Sequence, residues 1–250
     1  MIDTHAHLAD RFNTDIEGVV NRAQKASVGA IVLSASSMAD SKDNLKIAVE
    51  FPGYLLPAVG VHPMETEYDP KILELYLNKN PQIVAVGECG LEFYGKFDAQ
   101  RQIEIFKSQI ELSLNFKKPL IIHSREAMEE TLEILGQYPK AGGVIHCYSG
   151  GKKRINKVLS LGDNWFFGID GNVTYEAGLE QVVASIPKEK LVLETDTPFL
   201  TPIPHRGETN QPSNIKYIYK KVADIWQMDM KETEKQIDTN AKRLFNIVGD

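Results

Sequence analysis

The chain has 250 residues, 42% hydrophobic and 25% charged, ordinary proportions for a globular protein that exclude a disordered, collagen-like or coiled-coil chain. Lys and Arg total 28 against 34 Asp and Glu, a net charge of −6, so any contact with nucleic acid has to be local, not a general electrostatic attraction. The longest apolar runs, such as 55–61, fall far short of the roughly 20 residues of a membrane helix, and Asp3 and His5 interrupt a signal-peptide pattern. With only Cys89 and Cys147 available for disulfides, the expectation is a cytoplasmic protein with no membrane span.

Short apolar, β-rich runs lie at 2–7, 29–34, 54–62, 83–88, 119–123, 143–146, 165–169 and 191–196. Between them, amphipathic stretches with helical spacing occupy 16–26, 42–50, 70–78, 99–115, 126–138, 152–161 and, more weakly, 175–185. That alternation predicts βαβ units and a parallel sheet. Near-continuous apolar strands such as Ala30-Ile31-Val32-Leu33 and Leu120-Ile121-Ile122 require burial on both faces. Eight units in this length predict an α/β fold of the closed (β/α)8 TIM-barrel type, occupying 1–250 as one unit. A doubly wound open sheet normally has a glycine-rich loop after its first strand, where this chain has His5-Ala6-His7. A last helix is expected from Asp229 as cap with Glu232 completing a capping box; Ile237, Ala241, Leu244, Phe245 and Val248 share its apolar face and close the fold.

Most of these runs end in a metal-type side chain: His5 and His7, His62, Glu88, His123, His146 and Asp196. Active sites of this barrel form at that end of the strands. A lone strand-end histidine is more often a satisfied polar residue than a ligand; the signal is in the set. His5 and His7, two apart on a strand, project to one side and can reach one ion. Glu88 and Asp196 can supply carboxylates, and His123 and His146 can hold a second ion. Six ligands are too many for one hydrolytic zinc, whereas two divalent ions bridged by Glu88 and a water use them all. Cys89 and Cys147 each directly follow a candidate ligand, so both are expected to point to the opposite side as buried, unpaired core thiols.

At these residues the chain resembles the TatD family of metal-dependent deoxyribonucleases, within the amidohydrolase superfamily. The matching segments are Ile2-Asp3-Thr4-His5-Ala6-His7-Leu8, Gly60-Val61-His62-Pro63, Gly87-Glu88-Cys89-Gly90-Leu91, His123-Ser124-Arg125, His146-Cys147-Tyr148-Ser149-Gly150 and Glu194-Thr195-Asp196-Thr197-Pro198, with Asn240-Ala241-Lys242-Arg243-Leu244-Phe245 at the end. The resemblance implies one metal site from His5, His7, Glu88 and Asp196 and a second from His123, His146 and the shared Glu88. It also implies that His62, His205 and Arg206 lie near a substrate phosphate. The chain departs from the family pattern at Glu92, where Asp is common, and at Glu208, where a basic residue is common.

The expected activity is therefore a metal-dependent deoxyribonuclease, a 3′-5′ exonuclease on single-stranded DNA. Glu88 and Asp196 are its catalytic residues, and two ions (Zn²⁺, Mn²⁺, Fe²⁺ or Mg²⁺) activate water. Tyr94 and Phe93 are candidates to stack a base. The alternative is hydrolysis of a carbonyl ester, lactone or amide, including an aminoacyl ester on RNA, because fold does not determine the bond cleaved. No obligate protein partner is implied.

Overall fold

The computed structural model describes residues 1–9, 12 and 15–247. The first half alternates β1 (Ile2–Ala6), α1 (Ile16–Lys25), β2 (Ala30–Leu33), α2 (Met38–Glu50), β3 (Leu55–Val59), α3 (Pro70–Lys79), β4 (Ala85–Glu92) and α4 (Ala99–Phe116). The second half continues with β5 (Leu120–Arg125), α5 (Met128–Gly136), β6 (Gly143–Ile145), α6 (Gly151–Ser160), β7 (Trp165–Ile169), α7 (Ala177–Val183), β8 (Leu191–Leu193), α8 (Ile215–Trp226) and α9 (Met230–Phe245).

The strands form one eight-stranded parallel sheet in sequence order. It closes where the chain after β8 meets β1: Ala6 and Thr197 form a parallel bridge, the His7 amide donates to the Thr197 carbonyl at 2.8 Å, and the Asp196 amide donates to the His5 carbonyl at 2.9 Å. Buried Asp3 secures the seam by accepting from the Thr195 amide at 2.9 Å and its hydroxyl at 2.7 Å. The result is the expected (β/α)8 barrel.

Side-chain alternation sorts the apolar residues into two layers. Val32, Ala58, Ile121, Val144, Phe166 and Val192 fill the interior, while Leu33, Val59, Ile122, Ile145, Phe167 and Leu193 pack outward against the helices. β1 carries a register shift between Asp3 and Ala6. Unbroken alternation from inward-facing Ile2 would put Ala6 inside; the shift sends Ala6 to the outer layer and His5 and His7 to the interior.

Helix α9 plugs the opposite end of the barrel. Asp229 caps it by accepting from the Lys231 amide at 2.8 Å, Ala241, Leu244 and Phe245 enter the interior cluster, and Asn240 donates to the carbonyls of Lys188 and Leu191. The cap at Asp229 and the burial of Ile237, Ala241, Leu244 and Phe245 are as expected from sequence; Glu232 donates its amide to Asp229 at 3.4 Å but no side-chain bond from Glu232 completes a capping box among the described residues, and Val248 lies outside them. Three differences stand out. Helix α2 begins four residues ahead of the expected 42, because Ser37 accepts from the Asp40 amide. Helix α8 was not anticipated; it follows a short 3-10 turn, Pro212–Asn214, with no side-chain cap to announce it. Strands β3 and β8 stop short of His62 and Asp196, which stand on the connecting segments, Asp196 with a left-handed φ of 55°. Among the described residues, no helix is long and apolar enough to cross a membrane.

Candidate metal centre

The barrel brings His5, His7, His62, Glu88, His123, His146 and Asp196 to one mouth. Glu88 is at the middle, 3% exposed, and its two oxygens face different partners. Oε1 lies 2.7 Å from His146 Nε2, 2.9 Å from His123 Nδ1 and 3.7 Å from His62 Nε2. Oε2 lies 3.7 Å from both His5 Nε2 and His7 Nε2. Asp196 closes the second group, with Oδ1 3.5 Å from the same two nitrogens. Glycine makes this approach possible: a Cβ on Gly60 would sit 2.6 Å from the Gly87 backbone, so no larger residue lets the chain ahead of His62 pass beside that of Glu88.

The donor set suits divalent cations. His5 Nε2 and His7 Nε2 are 3.0 Å apart, as are, more loosely, His123 Nδ1 and His146 Nε2 at 3.3 Å. When each ring carries its proton on the other nitrogen, the two facing nitrogens present one lone pair each, and a cation shared between them can accept both. Imidazole nitrogen mixed with carboxylate oxygen is a zinc- or manganese-type set.

The charges are mutually dependent. Burial opposes ionisation of Glu88, yet His146 and His62 foremost hold its carboxyl well below the usual range. Burial likewise opposes charge on His146, yet Glu88 and Glu194 raise its pKa well above the ordinary value. His7 is raised against burial by Asp196 and Glu88, and His123 against burial by Glu88 and Glu92. His5 is pushed well down by burial and by His146, and His62 is pushed down to about 3 by burial.

The remaining expected residues fall into two groups. His62 belongs to the cluster itself: its Nε2 faces Glu88, its ring packs edge-on to His123 at 4.3 Å, and its Nδ1 accepts from the Met64 amide. His205 and Arg206 stand apart on the loop after β8. His205 uses both nitrogens, Nδ1 on Glu208 at 3.1 Å and Nε2 on the Tyr217 hydroxyl at 3.2 Å, while the Arg206 guanidinium lies 4.2 Å over the Tyr175 ring. Arg125 is stacked in the same way on Tyr94, also at 4.2 Å.

Cys89 is buried in the outer layer as expected. Cys147 is not: it is half-buried, and its sulfur lies within 4.8 Å of a ring nitrogen of His146 and a carboxylate oxygen of Asp196. Its φ of 42° breaks the strand alternation on which the opposite-side expectation depended. Two carboxylates beside the centre were given no role from sequence. Glu92 Oε2 lies 3.1 Å from His123 Nε2 and Oε1 accepts from the Tyr94 amide. Glu194 lies 3.7 Å from His146 Nδ1. The available signal was the close spacing of the two carboxylates in Glu194-Thr195-Asp196 at the end of the last apolar run.

The family model described as TatD related DNase matches residues 2–246. The chain belongs to the TatD family. Over 257 residues it is 34% identical to the "uncharacterized metal-dependent hydrolase YabD" of Bacillus subtilis (strain 168), covering 99% of both chains. It is also 33% identical to the "3'-5' ssDNA/RNA exonuclease TatD" of Klebsiella pneumoniae (strain 342), over 99% of this chain and 98% of that one. The crystal structure of YJJV, a TatD homologue from Escherichia coli K12, superposes with a TM-score of 0.88 at 28% identity, covering 98% of each chain. The protein is thus a metal-dependent hydrolase of the TatD family, with a clustered imidazole and carboxylate set at the barrel mouth that suits divalent metal.

Proposed function

We propose that this TatD-family hydrolase is a 3′-5′ exonuclease on single-stranded DNA, working in the cytoplasm as one catalytic unit over residues 1–250 with two divalent ions. The observation that carries the two-ion reading is the division of Glu88: one oxygen serves His123 and His146, the other His5 and His7. His5, His7 and Asp196 would hold one ion and His123 and His146 the other, with Glu88 offering an oxygen to each group. The family match and the exonuclease name of a relative support the phosphodiester substrate. The free cysteines suit a reducing compartment.

Bound ions supply Lewis acidity that lowers the pKa of water towards neutrality and offsets phosphate charge. The chain's own groups do the rest. The Asp196 side chain is 13% exposed against 4% for Glu88, so it is the carboxylate open to the mouth and the one that takes the proton from the attacking water. Arg206, braced on Tyr175, presents its guanidinium edge to a phosphate, a geometry suited to bidentate contact. His62, beside Glu88 in the cluster, and His205, next to Arg206 on the loop after β8, are the other two residues assigned to the phosphate in this reading. Phe199, half exposed and edge-on to His7 at 6.3 Å, and Tyr94 offer ring faces on which unpaired bases stack.

One observation favours the second reading, hydrolysis of an ester, lactone or amide, including an aminoacyl ester on RNA. Glu208 puts a carboxylate on His205 in the loop that should meet the phosphate. The test is incubation of an end-labelled single-stranded DNA oligonucleotide with the protein and Mg²⁺, Mn²⁺ or Zn²⁺ in turn. The expected result is a ladder shortening from the 3′ end that disappears with chelator and with Asp196→Ala. A metal-loaded protein that leaves the oligonucleotide intact sinks the nuclease reading and moves the assay to carbonyl substrates.

A further inference from the structure

We infer that Glu194 is a positioning residue whose single carboxylate orients the imidazoles of His5 and His146, one from each half of the centre. The inference rests on the two-ion reading above.

Glu194 is fully buried just after β8. Its Oε1 accepts from the Cys147 amide and lies 3.7 Å from His146 Nδ1. A ring nitrogen of His5, one of His146 and a carboxylate oxygen of Glu194 all lie within 4.8 Å of one another. The two imidazoles are stacked nearly parallel, 4.3 Å apart with 11° between planes. Each aims Nε2 at the centre, His146 at Glu88, and His5 at Glu88 and Asp196. Nδ1 of both rings is buried without a hydrogen-bond partner, and so is Glu194 Oε2.

Three buried polar atoms with unused capacity, two of them on stacked rings and one on the carboxylate beside them, form a matched set. An imidazole that binds a cation through Nε2 carries its proton on Nδ1 and needs an acceptor there. A carboxylate has one oxygen for each ring. The space is reserved for it: a Cβ on Gly168 of β7 would sit 2.5 Å from Glu194 Oε2. Grouped as these three residues are, they resemble a third metal site, but the ring nitrogens left to Glu194 are proton donors once the others are engaged. A small rotation of each ring completes the hydrogen bonds when ions hold Nε2. Glu194 thereby links the two halves, so its loss acts on both, unlike the loss of a ligand that serves one ion.

The test is Zn²⁺ binding measured by competition with a chromophoric chelator, on wild type, Glu194→Gln and His7→Ala. Wild type is expected to bind two Zn²⁺ per chain. Glu194→Gln is expected to weaken both by about 10- to 100-fold, the usual effect of removing such a partner, with metal-free unfolding unchanged. His7→Ala weakens one. If Glu194→Gln weakens neither affinity or only one, the inference is overturned; a lower metal-free unfolding temperature with intact affinities makes Glu194 a purely structural acceptor for Cys147. A wild type that binds fewer than two Zn²⁺ sinks the two-ion reading, and this inference with it. Long-range ¹H–¹⁵N spectra of Zn²⁺-loaded wild type give a second reading that needs no variant: His5 and His146 should both carry the proton on Nδ1, and an Nε2-protonated ring overturns the inference.

Discussion

Asp170 illustrates what burial does to single residues around this mouth. It follows β7, is 3% exposed, and accepts from the Asn172 amide at 2.6 Å. Burial, the largest influence, pushes its carboxyl from 3.8 up to about 7, and the hydrogen bond recovers only part of the cost. A carboxyl with a raised folded-state pKa is held protonated by the folded protein where the unfolded chain has already released the proton. Its contribution to stability therefore falls as pH rises from about 4 to about 7, a loss on the order of 4 kcal/mol at most for a shift of that size. In chelator-treated protein, Asp170→Asn is expected to lose less thermal stability between pH 5 and pH 8 than wild type. Parallel pH curves for the two proteins would remove Asp170 as a source of that dependence. The residue scale is also where local sequence reading met its limit. His5, His7, Glu88, His123, His146 and Asp196 converge as the strand-end pattern anticipated, whereas Cys147 turns towards the mouth because of a single backbone angle, and side-chain type carries no record of φ.

Among the elements, the helices were legible wherever capping and periodicity agree. Helices α1, α3 and α4 each begin on an aspartate, Asp15, Asp69 and Asp98, that accepts an amide from its own first turn. Helices α5, α6 and α7 lack a capping side chain and were still legible between two strands; helix α8, equally uncapped and with apolar side chains at helical spacing from Ile215 through Ile218, Tyr219 and Val222 to Trp226, has no strand after it to frame it. Helix α9 makes a quantitative case. Replacing Asp229 by Ala removes an amide acceptor at its start and should cost about 1 kcal/mol. Phe245→Ala empties part of the plug in the barrel interior and should cost about 3 to 5 kcal/mol. Urea unfolding monitored by circular dichroism measures both; equal effects would mean that the plug contributes no more than the cap.

For the molecule as a whole, the feature that matters most to stability is the crowd of imidazoles and carboxylates at one end of the barrel. Cations that bind the folded chain and not the unfolded one stabilise it by mass action, about 2.7 kcal/mol for each site at a hundredfold excess over Kd. Removing divalent ions with a chelator should therefore lower the melting temperature by several degrees for a protein of this size. Adding Zn²⁺ or Mn²⁺ should restore it, whereas Ca²⁺, which prefers an all-oxygen shell, should restore less. A melting temperature indifferent to chelator and to every divalent ion would argue against any bound metal at this mouth. Because imidazoles must be neutral to bind metal, and those of His7, His123 and His146 are raised by their carboxylate partners, the restoration should strengthen as pH rises.

The barrel itself could be read from local pattern, because apolar runs without alternation demand two covered faces, and eight of them alternating with amphipathic helices leave few ways to provide the cover. The ligand-type residues could be read for the same reason, since strand ends were identifiable and one barrel end collects them. The TatD resemblance lay in those same motifs and is borne out across residues 2–246. Closure of the sheet decided the rest. It assigned one oxygen of Glu88 to each pair of histidines, moved His62 into their company, and brought Glu194 beside two stacked rings. These are meetings between strands far apart in the chain, set by register, a bulge in β1 and backbone turns, and distance across a barrel has no signature in the order of residues along it.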